Sequence, residues 1–202
     1  MWQGLPQHHG AAADLVLGQA GFATRDENGG GAPTARSMRW PHAITFPAGG
    51  LCVADAGNNR LMLWRRAPLA HNTGCDLIVG QANDAVVDHN RASYYPDAAC
   101  LNMPYGAVMV GSLLAVADTA NSRLLAWRVQ DITRHGVNAG ALAAQHDWNS
   151  KGDNRWLPAA RDSVCWPYSV AAIDGAPPTL LVADSGNNRV LLWPLAADEV
   201  VP

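Results

Sequence analysis

The sequence predicts an all-β chain. Three observations carry this: 19 glycines and 13 prolines in 202 residues, apolar runs too short to show a helical period, and one block of residues that recurs three times. The length allows one domain, or two at most, with enough chain to bury a large core. Net charge is −3, and charged residues make up 15%, well below the roughly 25% usual in soluble domains. Neither a basic nucleic-acid surface nor a polybasic membrane anchor is expected from that balance. The longest apolar runs, such as Leu113 to Ala117, fall far short of the roughly 20 residues needed to cross a bilayer. Met1 to Gly10 has neither a basic start nor a long apolar stretch, so no secretion signal is read there and a cytoplasmic location is expected. Cys52, Cys75, Cys100 and Cys165 include no CxxC pair, which argues against a zinc knuckle, a redox centre or a disulfide framework. Cys52 lies in an apolar run, where a free thiol acts as a small core residue.

The repeat begins at Trp40-Pro41-His42-Ala43-Ile44, Met103-Pro104-Tyr105-Gly106-Ala107 and Trp166-Pro167-Tyr168-Ser169-Val170, with prolines 63 residues apart each time. A short apolar run follows, then a turn: Asp55-Ala56-Gly57-Asn58-Asn59-Arg60, Asp118-Thr119-Ala120-Asn121-Ser122-Arg123 and Asp184-Ser185-Gly186-Asn187-Asn188-Arg189. Asp caps backbone N–H groups in such a turn, and Gly and Asn tolerate positive φ. The Arg is expected to reach back to the Asp carboxylate. Asp55, Asn58 and Arg60, Asp118, Asn121 and Arg123, and Asp184, Asn187 and Arg189 therefore read as structural staples rather than catalytic groups. The flanking runs, for example Leu51 to Ala54 and Leu61 to Trp64, are apolar almost throughout, as suits middle strands buried on both faces. A fourth run ends in Gln at Leu15 to Gln19 and Leu77 to Gln81, with a degenerate copy at Ala141 to Gln145. Four short strands per unit make a propeller blade.

The run from the prolines through Ala-Asp-x-Gly-Asn-Asn-Arg to the following Trp resembles the NHL repeat, and the chain is similar to bacterial NHL proteins over almost its whole length. The second turn departs from the pattern at Ala120 and Ser122, Gly140 to Ala144 lose the Gly-Gln ending, and the period is longer than usual. The resemblance implies a six-bladed β-propeller.

Blade one spans about 40–81, blade two about 103–145, and blade three about 166–193, the last lacking its fourth strand. Leu15 to Gln19 is a fourth strand without a blade. Three blades cannot close a ring, since propellers have about four to eight, whereas two chains supply six. The expectation is a head-to-tail homodimer in which Leu15 to Gln19 completes the partner's last blade beside Arg189 to Trp193. A lone subunit would expose strand edges and apolar flanks. The start at Met1 and the complementary offset favour a self-contained protomer; a piece of a longer six-blade chain, or pairing with a different three-blade protein, stay open.

In such a ring the first strands line the channel, so Trp40, His42, Met103, Tyr105, Trp166 and Tyr168 are the candidate rim. Aromatics there suit ligand or partner contact, or inter-blade packing. The inserts Ala20 to Arg39, Ala82 to Asn102 and His146 to Cys165 carry Asp26-Glu27-Asn28, Asp88-His89-Asn90 and Gly152-Asp153-Asn154 in register. Asp26, Asp88, His89 and Asp153 have ligand chemistry but sit on separate blades, so loop capping is the competing reading. Tyr94 and Tyr95 either dock a partner or pack their loop. The GxSxG, P-loop, HExxH and dinucleotide motifs are absent. The alternative is a channel-site enzyme or a small-ligand binder: the resemblance implies that some six-bladed relatives are metal-dependent lyases or lactonases with a metal on the channel axis. Here His42 is the weak candidate ligand for a divalent metal. The expectation is a non-catalytic scaffold without cofactor that binds an unidentified protein through the rim and inserts, with neither nucleic acid nor membrane as partner. Arg25, Arg36 and Arg39 form the one local basic group relevant to RNA.

Overall fold

The computed structural model describes residues 7–195, so most of the Met1–Gly10 segment lies outside it. The fold is all-β. The first sheet is a meander of β1 (Pro41–Thr45), β2 (Leu51–Asp55), β3 (Arg60–Trp64) and β4 (Leu77–Val79). The second repeats it with β5 (Pro104–Val110), β6 (Leu113–Asp118), β7 (Arg123–Arg128) and β8 (Ala141–Ala143). The third has three strands, β9 (Pro167–Ile173), β10 (Thr179–Asp184) and β11 (Arg189–Pro194). Every pairing within these sheets is antiparallel.

The local sequence explains each hairpin. A single 3-10 turn follows the Asp, and the residue before the Arg is left-handed, at φ 53° for Asn59, 50° for Ser122 and 54° for Asn188. Asn is among the few side chains that enter this region readily, because its short amide bonds locally.

The sheets stack through their faces, with first strands β1, β5 and β9 as neighbours. Side chains alternate between the two faces of each middle strand. Cys52, Ala54, Leu61 and Leu63 face the second sheet, where they meet Leu114, Val116, Leu125 and Trp127. Leu51, Val53, Met62 and Trp64 lie on the opposite face with Met38 and Leu17. Ala115, Ala117 and Leu124 join Val170, Leu180 and Val182 between the second and third sheets. Both faces are apolar, so these strands carry no alternating pattern in the sequence.

Leu15 to Gln19, expected as a strand, is not one among the described residues. A strand needs a ladder partner, and here only Gly18 forms a bridge, to Ser37, as Gly80 does to Cys100. Its placement is nevertheless strand-like. Val16 N–H points to His71 Nδ1 at 3.4 Å and Val16 C=O accepts from Asn72 N–H at 2.9 Å. Ile78 in β4 is held the same way by His135 Nδ1 at 3.0 Å and Gly136 N–H at 2.9 Å. The segment thus lies against the first sheet as β4 lies against the second, without a third strand at its side.

Candidate functional site

The Asp-Asn-Arg turns are staples, as the sequence predicts. In the second unit Asp118 Oδ2 accepts from Arg123 Nε at 2.7 Å and Asn121 Nδ2 at 2.8 Å, while Oδ1 accepts from Asn102 N–H at 2.7 Å. The other Arg123 nitrogens donate to the carbonyls of Trp148, Asp97 and Cys100, so one guanidinium ties the turn to the inserts on both sides. Asp55 and Arg60 repeat this with both side chains fully buried; Asp184 repeats the turn bonds with a more exposed Arg189, which reaches only the insert before it. Burial pushes the Asp55 carboxyl above the usual carboxylate range, opposed by the Arg60 charge and by bonds from Asn58 and Arg39 N–H.

The insert asparagines complete the lock. Asn90 and Asn121 exchange two amide hydrogen bonds, at 3.1 and 2.8 Å, and Asn28 with Asn58 and Asn154 with Asn187 do the same. The carbonyls of Asp88 and Gly152 accept from Gln81 and Gln145, that of Asp26 accepts from Gln19, and the Asp153 carboxylate accepts from Ser122. The triplets Asp26-Glu27-Asn28, Asp88-His89-Asn90 and Gly152-Asp153-Asn154 therefore brace loops. Among the described residues no three His, Cys, Asp or Glu side chains gather so that they could hold a metal ion.

Three of the candidate rim residues, His42, Tyr105 and Tyr168, come together. Each first strand is irregular after its proline: Pro41 pairs with Asp55 and Ala43 with Ala54, leaving His42 as the extra residue of a bulge. Tyr105 and Tyr168 are the bulged residues of β5 and β9. A bulge re-aims its side chain, and three in register make a row. His42 stacks on Tyr105 with ring centroids 4.1 Å apart and planes 14° from parallel, and Tyr105 meets Tyr168 at 5.0 Å. Desolvation, followed by the neighbouring Tyr168, raises the Tyr105 phenol above its usual range. The residues before the prolines, Trp40, Met103 and Trp166, all have φ near 50°, an unfavourable state for such side chains held by the surrounding turns. Trp40 and Trp166 are exposed beside the row, and the Arg39 guanidinium lies 4.9 Å over the Trp40 ring. Chemically the row is rigid flat area with polar tips; His42 meets its neighbour through its ring face.

Of the local basic group, Arg39 pairs with Glu27 at 3.0 Å and Arg36 donates to the Asn72 carbonyl at 2.6 Å. Tyr94 and Tyr95 are exposed, and Lys151 reaches over the Tyr94 ring at 3.7 Å. All four cysteines are free, and burial pushes the Cys52 and Cys75 thiols up to about 12 and that of Cys100 to about 11. Such thiols stay protonated and are poor nucleophiles.

A cleft of about 460 Å³ opens between the second and third sheets, lined by Ala141 to Gln145, Leu180 and Trp193. β8 carries Ala-Leu-Ala there, where β4 carries Leu-Ile-Val, and the third sheet has three strands instead of four.

Two roles escaped the sequence reading. The recurring Gln braces the loop, and the residue before the Arg in the first two turns caps the next unit: Asn59 Oδ1 accepts from Met103 N–H at 2.8 Å and Ser122 Oγ from Trp166 N–H at 3.2 Å. The available signal was a small polar residue at that position in all three turns. No family model matches the chain, and no curated protein matches it. Among the described residues, no helix is long and apolar enough to cross a membrane.

Proposed function

We propose that two copies of this chain close one six-bladed propeller of the NHL-repeat type, and that the ring is a non-catalytic scaffold gripping a protein partner through its aromatic rim and inserts. The reading of a contact surface rests on one observation above others: three in-register bulges carry His42, Tyr105 and Tyr168 into a single aromatic row, the first two rings stacked and the third tilted, flanked by exposed Trp40 and Trp166. Rigid aromatics at a concave mouth give large contact area at low entropic cost, and nothing in the row pairs a nucleophile with a base.

Ring closure rests on the two end faces. Ile44 on β1 and Phe46 just after it are 65% and 64% exposed, and Val190 and Leu192 on β11 are 60% and 64% exposed. The corresponding positions at the internal junctions are covered, including Ala107 and Val170 for Ile44 and Leu61 and Leu63 for the β11 pair. The opposed apolar ends, with a strand-like segment at one and an open strand edge at the other, fit a second copy turned about the channel axis.

Sedimentation mass and partner capture test the proposal together. The expected results are a dimer in solution and a partner retained by the native chain but lost from a variant with Trp40, Tyr105 and Tyr168 all changed to Ala that melts at the same temperature. An unchanged captured set overturns the rim reading. A stoichiometric metal lost on His42→Ala overturns the non-catalytic one.

A further inference from the structure

We infer that Asn188 is the latch of the seam between two copies: its side-chain oxygen caps the partner copy's Trp40 N–H, and its carbonyl takes the free donor of the partner copy's Gln19 amide. The inference rests on the ring reading above and deepens it to named atoms.

The internal junctions show how units join. Asn59 uses its Oδ1 to hold the Met103 N–H of the next unit, and its carbonyl accepts from Gln81 Nε2 at 3.1 Å in the fourth strand. Ser122 repeats both bonds, to Trp166 N–H at 3.2 Å and from Gln145 Nε2 at 2.9 Å. The left-handed residue of the turn therefore has two jobs, one across the junction and one within the sheet.

Asn188 holds the same left-handed geometry at φ 54°, and among the described residues its side chain makes no hydrogen bond and its carbonyl accepts none from a side chain. The complementary groups stand at the other end of the chain. Trp40 N–H, the counterpart of Met103 and Trp166 N–H, has no acceptor among the described residues. Gln19 Nε2 donates to the Asp26 carbonyl at 2.8 Å, as Gln81 does to Asp88, but its second acceptor is missing. Arg189 is a third half-made contact. Arg60 and Arg123 each donate a terminal nitrogen to a carbonyl three residues beyond the Gln, at Asp84 and Trp148. The equivalent acceptor for Arg189 is the carbonyl of Phe22.

Docking a second copy by the internal geometry satisfies all three groups at each of two seams. It also fixes the register: Leu15, Val16 and Leu17 lie opposite Leu192, Leu191 and Val190, as Leu77, Ile78 and Val79 lie opposite Leu63, Met62 and Leu61. Loose apolar faces would tolerate slippage, and these paired polar groups remove it.

The experiment is sedimentation equilibrium on the full chain, native, Asn188→Gly and Asn188→Ser. Gly keeps the left-handed backbone without strain, so the protomer fold is unchanged, which thermal melting of dilute protein checks. Ser restores the cap that Ser122 provides internally. The native chain should be a dimer, Asn188→Gly should raise its dissociation constant about tenfold or more, and Asn188→Ser should return most of that loss. A native chain that is monomeric overturns the ring reading itself. A dimeric native chain with Asn188→Gly unchanged, or with Asn188→Ser as weak as Asn188→Gly, overturns the latch alone.

Discussion

The junction between the first and second sheets and the outer face of the third are built from the same repeat positions, yet one is closed and the other open. Leu61 and Leu63 are 0% and 6% exposed, and their counterparts Val190 and Leu192 are 60% and 64% exposed. Arg60 makes contacts to the inserts before and after it, while Arg189 contacts only the one before. The repeat therefore carries its own half of each junction wherever it stands, and a neighbour decides whether that half is used.

Three substitution pairs and one single substitution probe this contrast. Arg123→Ala strips the partner from a fully buried Asp118 and should cost about 3–5 kcal/mol in urea unfolding. Arg189→Ala in dilute protein should cost clearly less, because that side chain is 28% exposed; equal losses would break the contrast. Leu61→Ala should cost about 2–5 kcal/mol, and Leu192→Ala should leave protomer stability within about 0.5 kcal/mol while weakening self-association. Asn121→Ala, which orphans a buried amide on Asn90, should cost about 1–3 kcal/mol, and Asn187→Ala less, both read by denaturant midpoint. The smallest effect belongs to the exposed Arg155–Asp162 pair beside the cleft at the third sheet. Its hydrogen bonds hold the Asp162 carboxyl below the usual carboxylate range. A depressed native value stabilises the fold above the ordinary carboxylate range and loses that contribution as pH falls through it. The melting temperature of Arg155→Ala should thus differ slightly from native at pH 7 and converge with it in strong acid.

Much of the fold was legible because its signals are local. Gly-Asn-Asn-Arg after an Asp specifies a tight hairpin whatever surrounds it, and the unbroken apolar runs of Leu51–Asp55 and Leu113–Asp118 announced strands covered on both sides. The site was legible only as a column. His42, Tyr105 and Tyr168 share a repeat position, but the bulges that turn them into one row depend on how Asp55, Asp118 and Asp184 pair across each sheet. The strand expected at Leu15 to Gln19 shows the same limit: its apolar pattern was correct, yet a ladder requires a partner that the described residues do not provide.

By itself the sequence determined the unit: its turns, its strand count and the Asp-Asn-Arg staple, each set by bonds between residues close along the chain. Tertiary structure alone decided the amide exchanges between inserts and turns, the aromatic row and the contrast between closed junctions and open ends. Those depend on contacts between residues distant along the chain, 31 apart for the Asn90–Asn121 exchange and a full repeat apart for His42 and Tyr105, whose geometry arises only once the sheets pack face to face.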